Sequence, residues 1–166
     1  MSLANRGKDL EDLLTAQNAT YRDRSIAVIH KVPTAWVPTW RDGAVRGAHV
    51  AEVAISDFIG CMGSRAVAIE AKSTRQPRLP YKAIQPHQVA FLDDCATQGA
   101  LCGLVVLWGL CGELWAIPWE DVRRSMDRGE RKSMPWVECS PFKVVGLDYL
   151  ARLVELEREK AGGMAG

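Results

Sequence analysis

Val67-Ala68-Ile69-Glu70-Ala71-Lys72 is the stretch on which the reading of this chain turns. Val67 and Ile69 give it strand character, and in an extended segment successive side chains alternate faces, so Glu70 and Lys72 point one way and Ala71 the other. Upstream, Val53-Ala54-Ile55-Ser56-Asp57-Phe58-Ile59 reads as a second strand, and Gly60-Cys61-Met62-Gly63-Ser64 as the tight connection between the two. A hairpin of that kind sets Asp57 beside Glu70. Two carboxylates, the backbone carbonyl of Ala71 and the Lys72 amine then share one place, a partial shell suited to a hard divalent cation that keeps several of its waters.

Chance supplies a Glu-x-Lys triplet about once in 250 to 300 positions, and a strand face carrying such a pair is ordinarily just solvated. The weight therefore rests on the strand context and on Asp57. The chemistry this set would serve is metal-assisted phosphodiester hydrolysis, with Lys72 orienting a water or stabilising charge on a phosphate. The expectation is a nuclease.

The 166 residues, 48% of them hydrophobic, fit one globular domain spanning 1–166 with a core of its own. A formal net charge of +1 excludes any argument for nucleic-acid binding from overall charge, so the argument must rest on local patches. One such patch is Arg65, Lys72, Arg75, Arg78 and Lys82, interrupted only by Glu70. A looser group is Lys31, Arg41 and Arg46, opposed by Asp42. The five cysteines are odd in number and form no Cys-x-x-Cys pair, so they read as buried reduced thiols. His30, His49 and His87 are too widely spaced for a structural zinc site. With no long apolar stretch and no signal-like N-terminus, the expected setting is cytoplasmic, away from membranes.

Apolar residues at helical spacing predict a first helix over Asp9 to Tyr21, and Ser25 to Lys31 reads as a buried strand ending before Pro33. Residues 33–47, rich in Pro, Gly, Trp and Arg, predict a projecting loop or hairpin. Pro86 suits the first turn of a second helix that stops near Gly99. Leu101 to Trp108 is fully apolar, as a central strand would be, and Glu113 to Ile117 pairs with it across a Gly109–Gly112 turn. After Pro118 the pattern weakens until an amphipathic C-terminal helix around Leu147 to Val154.

Four blocks, in this order and spacing, resemble the RecU-like Holliday-junction resolvases, within the wider group of nucleases with a PD-(D/E)xK core. They are Asn5-Arg6-Gly7-Lys8-Asp9-Leu10-Glu11; Ala27-Val28-Ile29-His30-Lys31-Val32-Pro33-Thr34; Ser56-Asp57-Phe58-Ile59-Gly60 with Ile69-Glu70-Ala71-Lys72; and Ile84-Gln85-Pro86-His87-Gln88. The resemblance covers about residues 5–120. It implies an α/β, restriction-endonuclease-like core with a mixed central sheet flanked by helices, and a projecting stalk at about 33–47. It further implies a homodimeric, Mg²⁺-dependent endonuclease, Mn²⁺ being able to substitute, that resolves four-way DNA junctions by paired symmetric nicks. On that basis Asp57, Glu70 and Ala71 would hold the metal and Lys72 would be the catalytic amine. Gln88 would position water or phosphate, and Glu11 would support the site. Cys61 and Met62 stand where more polar residues are expected.

Several side chains keep two readings. Trp36 and Trp40 suit either stacking on splayed bases, worth about 1 to 3 kcal/mol per base, or a cluster that stiffens the loop or packs on a partner subunit. Lys31, Arg41, Arg46, Arg75, Arg78 and Lys82 suit salt-dependent phosphate contacts or a solvated basic surface. Acids near a helix N-terminus are favoured by the macrodipole alone, so Glu11 is open as well. Competing functions are another endonuclease of this core cutting duplex or flap DNA, and a catalytically silent DNA-binding protein of the same fold.

Overall fold

The computed structural model describes residues 3–52, 54–129 and 131–163; the side chains of 3–7, 35–36 and 50–52 lie outside that description. Helix α1 spans Leu3–Asp23 and leads into β1, Val28–Lys31. A two-stranded ribbon follows, β2 at Ala35–Arg41 and β3 at Ala44–Glu52. Then come β4, Phe58–Met62, β5, Arg65–Thr74, and the short β6, Arg78–Pro80. Helix α2 spans Pro86–Thr97, β7 Leu101–Trp108 and β8 Glu113–Pro118. The C-terminal part holds α3, Trp119–Asp127, β9, Ser133–Pro135, a 3₁₀ segment at Trp136–Phe142, and α4, Tyr149–Gly163.

Five strands form the central sheet in the order β1-β4-β5-β7-β8. All neighbours are antiparallel except β5 and β7, which run parallel through α2 as a crossover. The period-two rule decides which helix meets which face. Val67, Ile69 and Ala71 of β5 pack with Leu10 and Leu14 of α1 and Leu150 and Leu153 of α4. Ala68 lies on the opposite face with Leu92 of α2 and Val122 of α3. The expected mixed sheet flanked by helices is thus present, and β7 is buried on both faces as its apolar run requires. Trp108, Trp115 and Trp119 are all core residues. Among the described residues no helix is long and apolar enough to cross a membrane.

Several expectations are corrected. Asp57 is not inside a strand: residues 54–57 are irregular, Val53 lies outside the described residues, and β4 begins only at Phe58. Gly60, Cys61 and Met62 belong to β4, and the turn is only Gly63-Ser64, closed by the Met62–Arg65 pair. Gly60 is needed there because a Cβ would lie 2.0 Å from the Val28 carbonyl oxygen. The first strand starts at Val28, three residues later than the expected Ser25, since Ser25 turns the chain with φ 55°, and it is an edge strand with only Ile29 buried. The ribbon extends past residue 47 to Glu52, and its tip is Asp42-Gly43, both at positive φ. Asp-Gly is a favoured pair for such a two-residue hairpin turn. Cys61 and Cys111 are exposed rather than buried. The weakly patterned stretch after Pro118 contains α3 and β9; α3 buries only Trp119 and Val122, too few apolar positions to stand out in sequence.

Candidate active site

The site forms where β5 outruns β4. Phe58 pairs with Ile69, so Asp57 leaves the ladder opposite Glu70. Two bonds hold the departing segment to β5. The buried Ser56 hydroxyl donates to the Ile69 carbonyl at 2.9 Å, and the Ala71 N–H donates to Asp57 Oδ2 at 2.8 Å. Ser56 was missed in the sequence because a serine beside an aspartate carries no signal until the partner strand is known. In an extended strand the N–H and C=O of one residue point to the same edge. The Ala71 carbonyl therefore shares the edge its N–H presents to Asp57.

Glu70 and Lys72 share a face as the periodicity requires. Lys72 Nζ donates to Glu70 Oε1 at 2.5 Å. Glu70 is fully buried, and its Oε2 has no hydrogen-bond partner among the described residues. Burial, and then the nearby Asp57 charge, push its carboxyl up to about 7, while Lys72 opposes the shift. A buried carboxylate next to a second carboxylate, with one lone oxygen, is an arrangement that a cation completes.

Among the described residues no three His, Cys, Asp or Glu side chains converge as a metal-binding group. The donors present are two carboxylates and a carbonyl. That suits a hard ion such as Mg²⁺, which keeps several waters, better than a closed zinc-type cage.

Asp57, Ala71 and Lys72 line a cleft of about 710 Å³ together with Glu11, Arg75 and Lys82. Glu11 thus reaches the site from α1, and it is held there by Lys31, whose Nζ lies 2.5 Å from Glu11 Oε2. That carboxylate raises the Lys31 pKa. Lys31 is accordingly occupied at the site's rim, whereas Arg41 and Arg46 are exposed on the ribbon. Trp40 is 64% exposed there; the Trp36 side chain lies outside the described residues. Arg78 is exposed on β6, beyond the cleft lining. Gln88 is buried and outside that lining too: its Oε1 accepts the Gln85 N–H at 3.0 Å in a capping box at the start of α2. His30 is bound to Arg22 and His87 is exposed, and neither lines the cleft.

Comparison with known proteins identifies the family. Residues 5–150 match the family model described as RecU, recombination protein U. A curated relative from Geobacillus kaustophilus (strain HTA426), named Holliday junction resolvase RecU, is 30% identical over 145 residues, covering 80% of this chain and 71% of the relative. One of the same name from Streptococcus pneumoniae (strain Taiwan19F-14) is 29% identical over 143 residues, covering 81% of this chain and 72% of its own. A solved structure of Archaeoglobus fulgidus Hjc, described as a Holliday junction resolvase, aligns over 69% of this chain and 73% of its own, with a TM-score of 0.44 and 16% identity. That last likeness is too loose to argue from. The family match across most of the chain is not: this chain belongs to the RecU family.

Proposed function

We propose that this chain is a divalent-metal-dependent endonuclease that resolves four-way DNA junctions. The observation that carries the reading is the buried Glu70 carboxylate with its lone Oε2, set beside Asp57 and bridged to Lys72 at the edge of a cleft. The RecU membership supports the choice of substrate.

Asp57, Glu70 and the Ala71 carbonyl would hold one Mg²⁺, which when bound supplies Lewis-acid activation of a water and neutralises charge on the phosphate. The protein's own groups do the positioning. Ser56 and the Ala71 N–H fix the Asp57 carboxylate against β5. Lys72 Nζ, steered by Glu70 Oε1, presents its remaining protons toward the cleft, where a phosphoryl oxygen would lie. Glu11 would order water on the α1 side, with Lys31 holding its carboxylate in place. Gln88 contributes by fixing the first turn of α2. Arg75 and Lys82 line the route of the phosphate backbone into the cleft.

Choice of junction over linear duplex falls to the β2–β3 ribbon, which acts as a stalk carrying Trp40, Arg41 and Arg46. It pairs only within itself as a separate two-stranded sheet, and its described side chains from Val37 to His49 are exposed. Two symmetric nicks across a two-fold junction call for two active sites related by a two-fold axis, hence a homodimer. A DNA substrate fits a cytoplasmic setting.

The test is cleavage of four-way junction, flap and linear duplex with Mg²⁺ or with chelator, by wild type and by Asp57→Asn and Lys72→Ala. Paired nicks in the junction alone are expected from wild type, with cutting abolished and junction binding retained in both variants. Near-normal cutting by either variant would sink the site assignment, and cutting of linear duplex at equal rate would sink the substrate.

A further inference from the structure

The pairing of β6 with β9 joins two basic segments that are far apart in sequence. Arg78 lies opposite Pro135 and Pro80 opposite Ser133. The ladder runs one step further, with the Tyr81 N–H donating to the Lys132 carbonyl at 3.0 Å. Lys132 is thus the cross-strand neighbour of Tyr81, and the next residue, Lys82, lines the Asp57 and Lys72 cleft. On its other side Tyr81 lines a notch of about 100 Å³ with Ser125, Arg128, Arg131 and Glu138. Its hydroxyl shares a 2.5 Å hydrogen bond with Ser125 Oγ, which pins the notch to α3.

Charge pairing singles out part of this surface. Arg123 and Arg124 on α3 are matched by Asp93, Asp127, Glu120 and Asp121, and Arg131 is drawn to Glu138. Arg78, Lys82, Arg128 and Lys132 are exposed, and among the described residues none of the four has an acid within ion-pair distance. In sequence Glu130 offsets one of the three charges Arg128, Arg131 and Lys132, leaving two in excess.

We propose that the β6–β9 surface, through Arg128 and Lys132, is a second contact for the phosphate backbone of a duplex arm, continuing the track that begins at Arg75 and Lys82 in the cleft. The proposal rests on the nuclease reading above. A row of cations on a hydrogen-bonded ladder suits a regular polyanion. The ring of Tyr81, beside Lys132, is half-buried with its hydroxyl engaged, and Trp136, which is 36% exposed, sits at the far end of the ladder packed on Trp115 with ring centroids 5.8 Å apart, so no fully exposed ring stands beside Arg128 and Lys132 among the described residues. The contact is therefore independent of base sequence and adds salt-dependent affinity.

The experiment is equilibrium binding of a four-way junction and of a linear duplex in chelator, over roughly 50 to 300 mM KCl. It compares wild type with Arg128→Gln/Lys132→Gln and, as a control, Arg158→Gln at an exposed position on α4, whose Leu150 and Leu153 pack on the other face of the sheet. Removing one cation from a phosphate lowers the slope of log affinity against log salt by about 0.9. The double variant is expected to bind both DNAs more weakly, with a slope smaller by roughly 2, while the control matches wild type. A wild-type slope in the double variant, or an equal loss in the control, overturns the proposal. If wild type fails to cut junctions in Mg²⁺ but the slope on linear duplex still falls, the resolvase reading fails and this surface stands.

Discussion

Glu70→Gln tests the central claim about the site without measuring cleavage at all. The Glu70 side chain is fully buried, with one oxygen on Lys72 and the other without a partner. Burial and the neighbouring Asp57 hold its carboxyl at about 7 in the folded protein, against an ordinary 4.5. A group whose pKa is raised by folding adds stability that is fully present below the unfolded value and is lost as pH rises through the folded one. The window is therefore 4.5 to 7. At about 1.4 kcal/mol per pKa unit, the metal-free protein loses up to about 3 kcal/mol across it. Glutamine keeps the shape and the acceptor for Lys72 but cannot ionise. In chelator, urea unfolding should therefore show a steep pH-dependent fall for wild type and a shallower one for Glu70→Gln. At about pH 8 the variant should be the more stable of the two. Added Mg²⁺ should stabilise wild type chiefly above neutral pH, because a bound cation needs the carboxylate ionised, by about 2.7 kcal/mol at a hundredfold excess over Kd. Equal pH slopes for the two proteins would refute the reasoning, as would Mg²⁺ stabilisation of the glutamine variant equal to that of wild type.

Three further outcomes are expected. Ser56→Ala removes a buried 2.9 Å bond to the Ile69 carbonyl; it should cost about 1 to 2 kcal/mol in urea unfolding and lower kcat by loosening Asp57, so an unchanged kcat would show that Ser56 does not position the carboxylate. Gly60→Ala would put a Cβ 2.0 Å from the Val28 carbonyl oxygen; it should destabilise by at least about 3 kcal/mol, and a normal thermal midpoint would contradict the close β1–β4 approach. Replacing residues 37–49 with a two-residue Asp-Gly turn should leave the circular-dichroism melt intact and abolish preference for junction over linear duplex; retained preference would take selectivity away from the stalk.

Much of the reactive centre was readable before any fold was known, because it depends on local rules. Alternation along β5 puts Glu70 and Lys72 on one face whatever surrounds them. The apolar run of β7 and the Pro86 start of α2 also follow from composition and backbone chemistry alone. The family blocks then added Glu11 and Gln88 as expectations beside the Asp57, Glu70 and Lys72 set. Local rules misplaced the strand boundary at Asp57, since apolar content cannot tell a paired residue from one just past the end of a ladder. They also overlooked α3 and β9, which are held by partners rather than by pattern: Trp119 donates to Asp93 at 2.7 Å, and β9 exists through β6.

Tertiary structure alone decided the quantities that make these residues a site. Burial of Glu70 raises its pKa, and burial is a property of the packed sheet rather than of the triplet. The Asp57 carboxylate is placed by Ser56 and by the Ala71 N–H through the β4–β5 register. Glu11 comes to the cleft only because α1 packs across the sheet, and Lys132 comes beside Tyr81, next in sequence to Lys82, only because β6 and β9 pair. Alternation and residue chemistry act over a few positions and are written in the chain. Desolvation, charge pairing and cross-strand neighbours act between segments many residues apart, and they come into being only when the chain closes on itself.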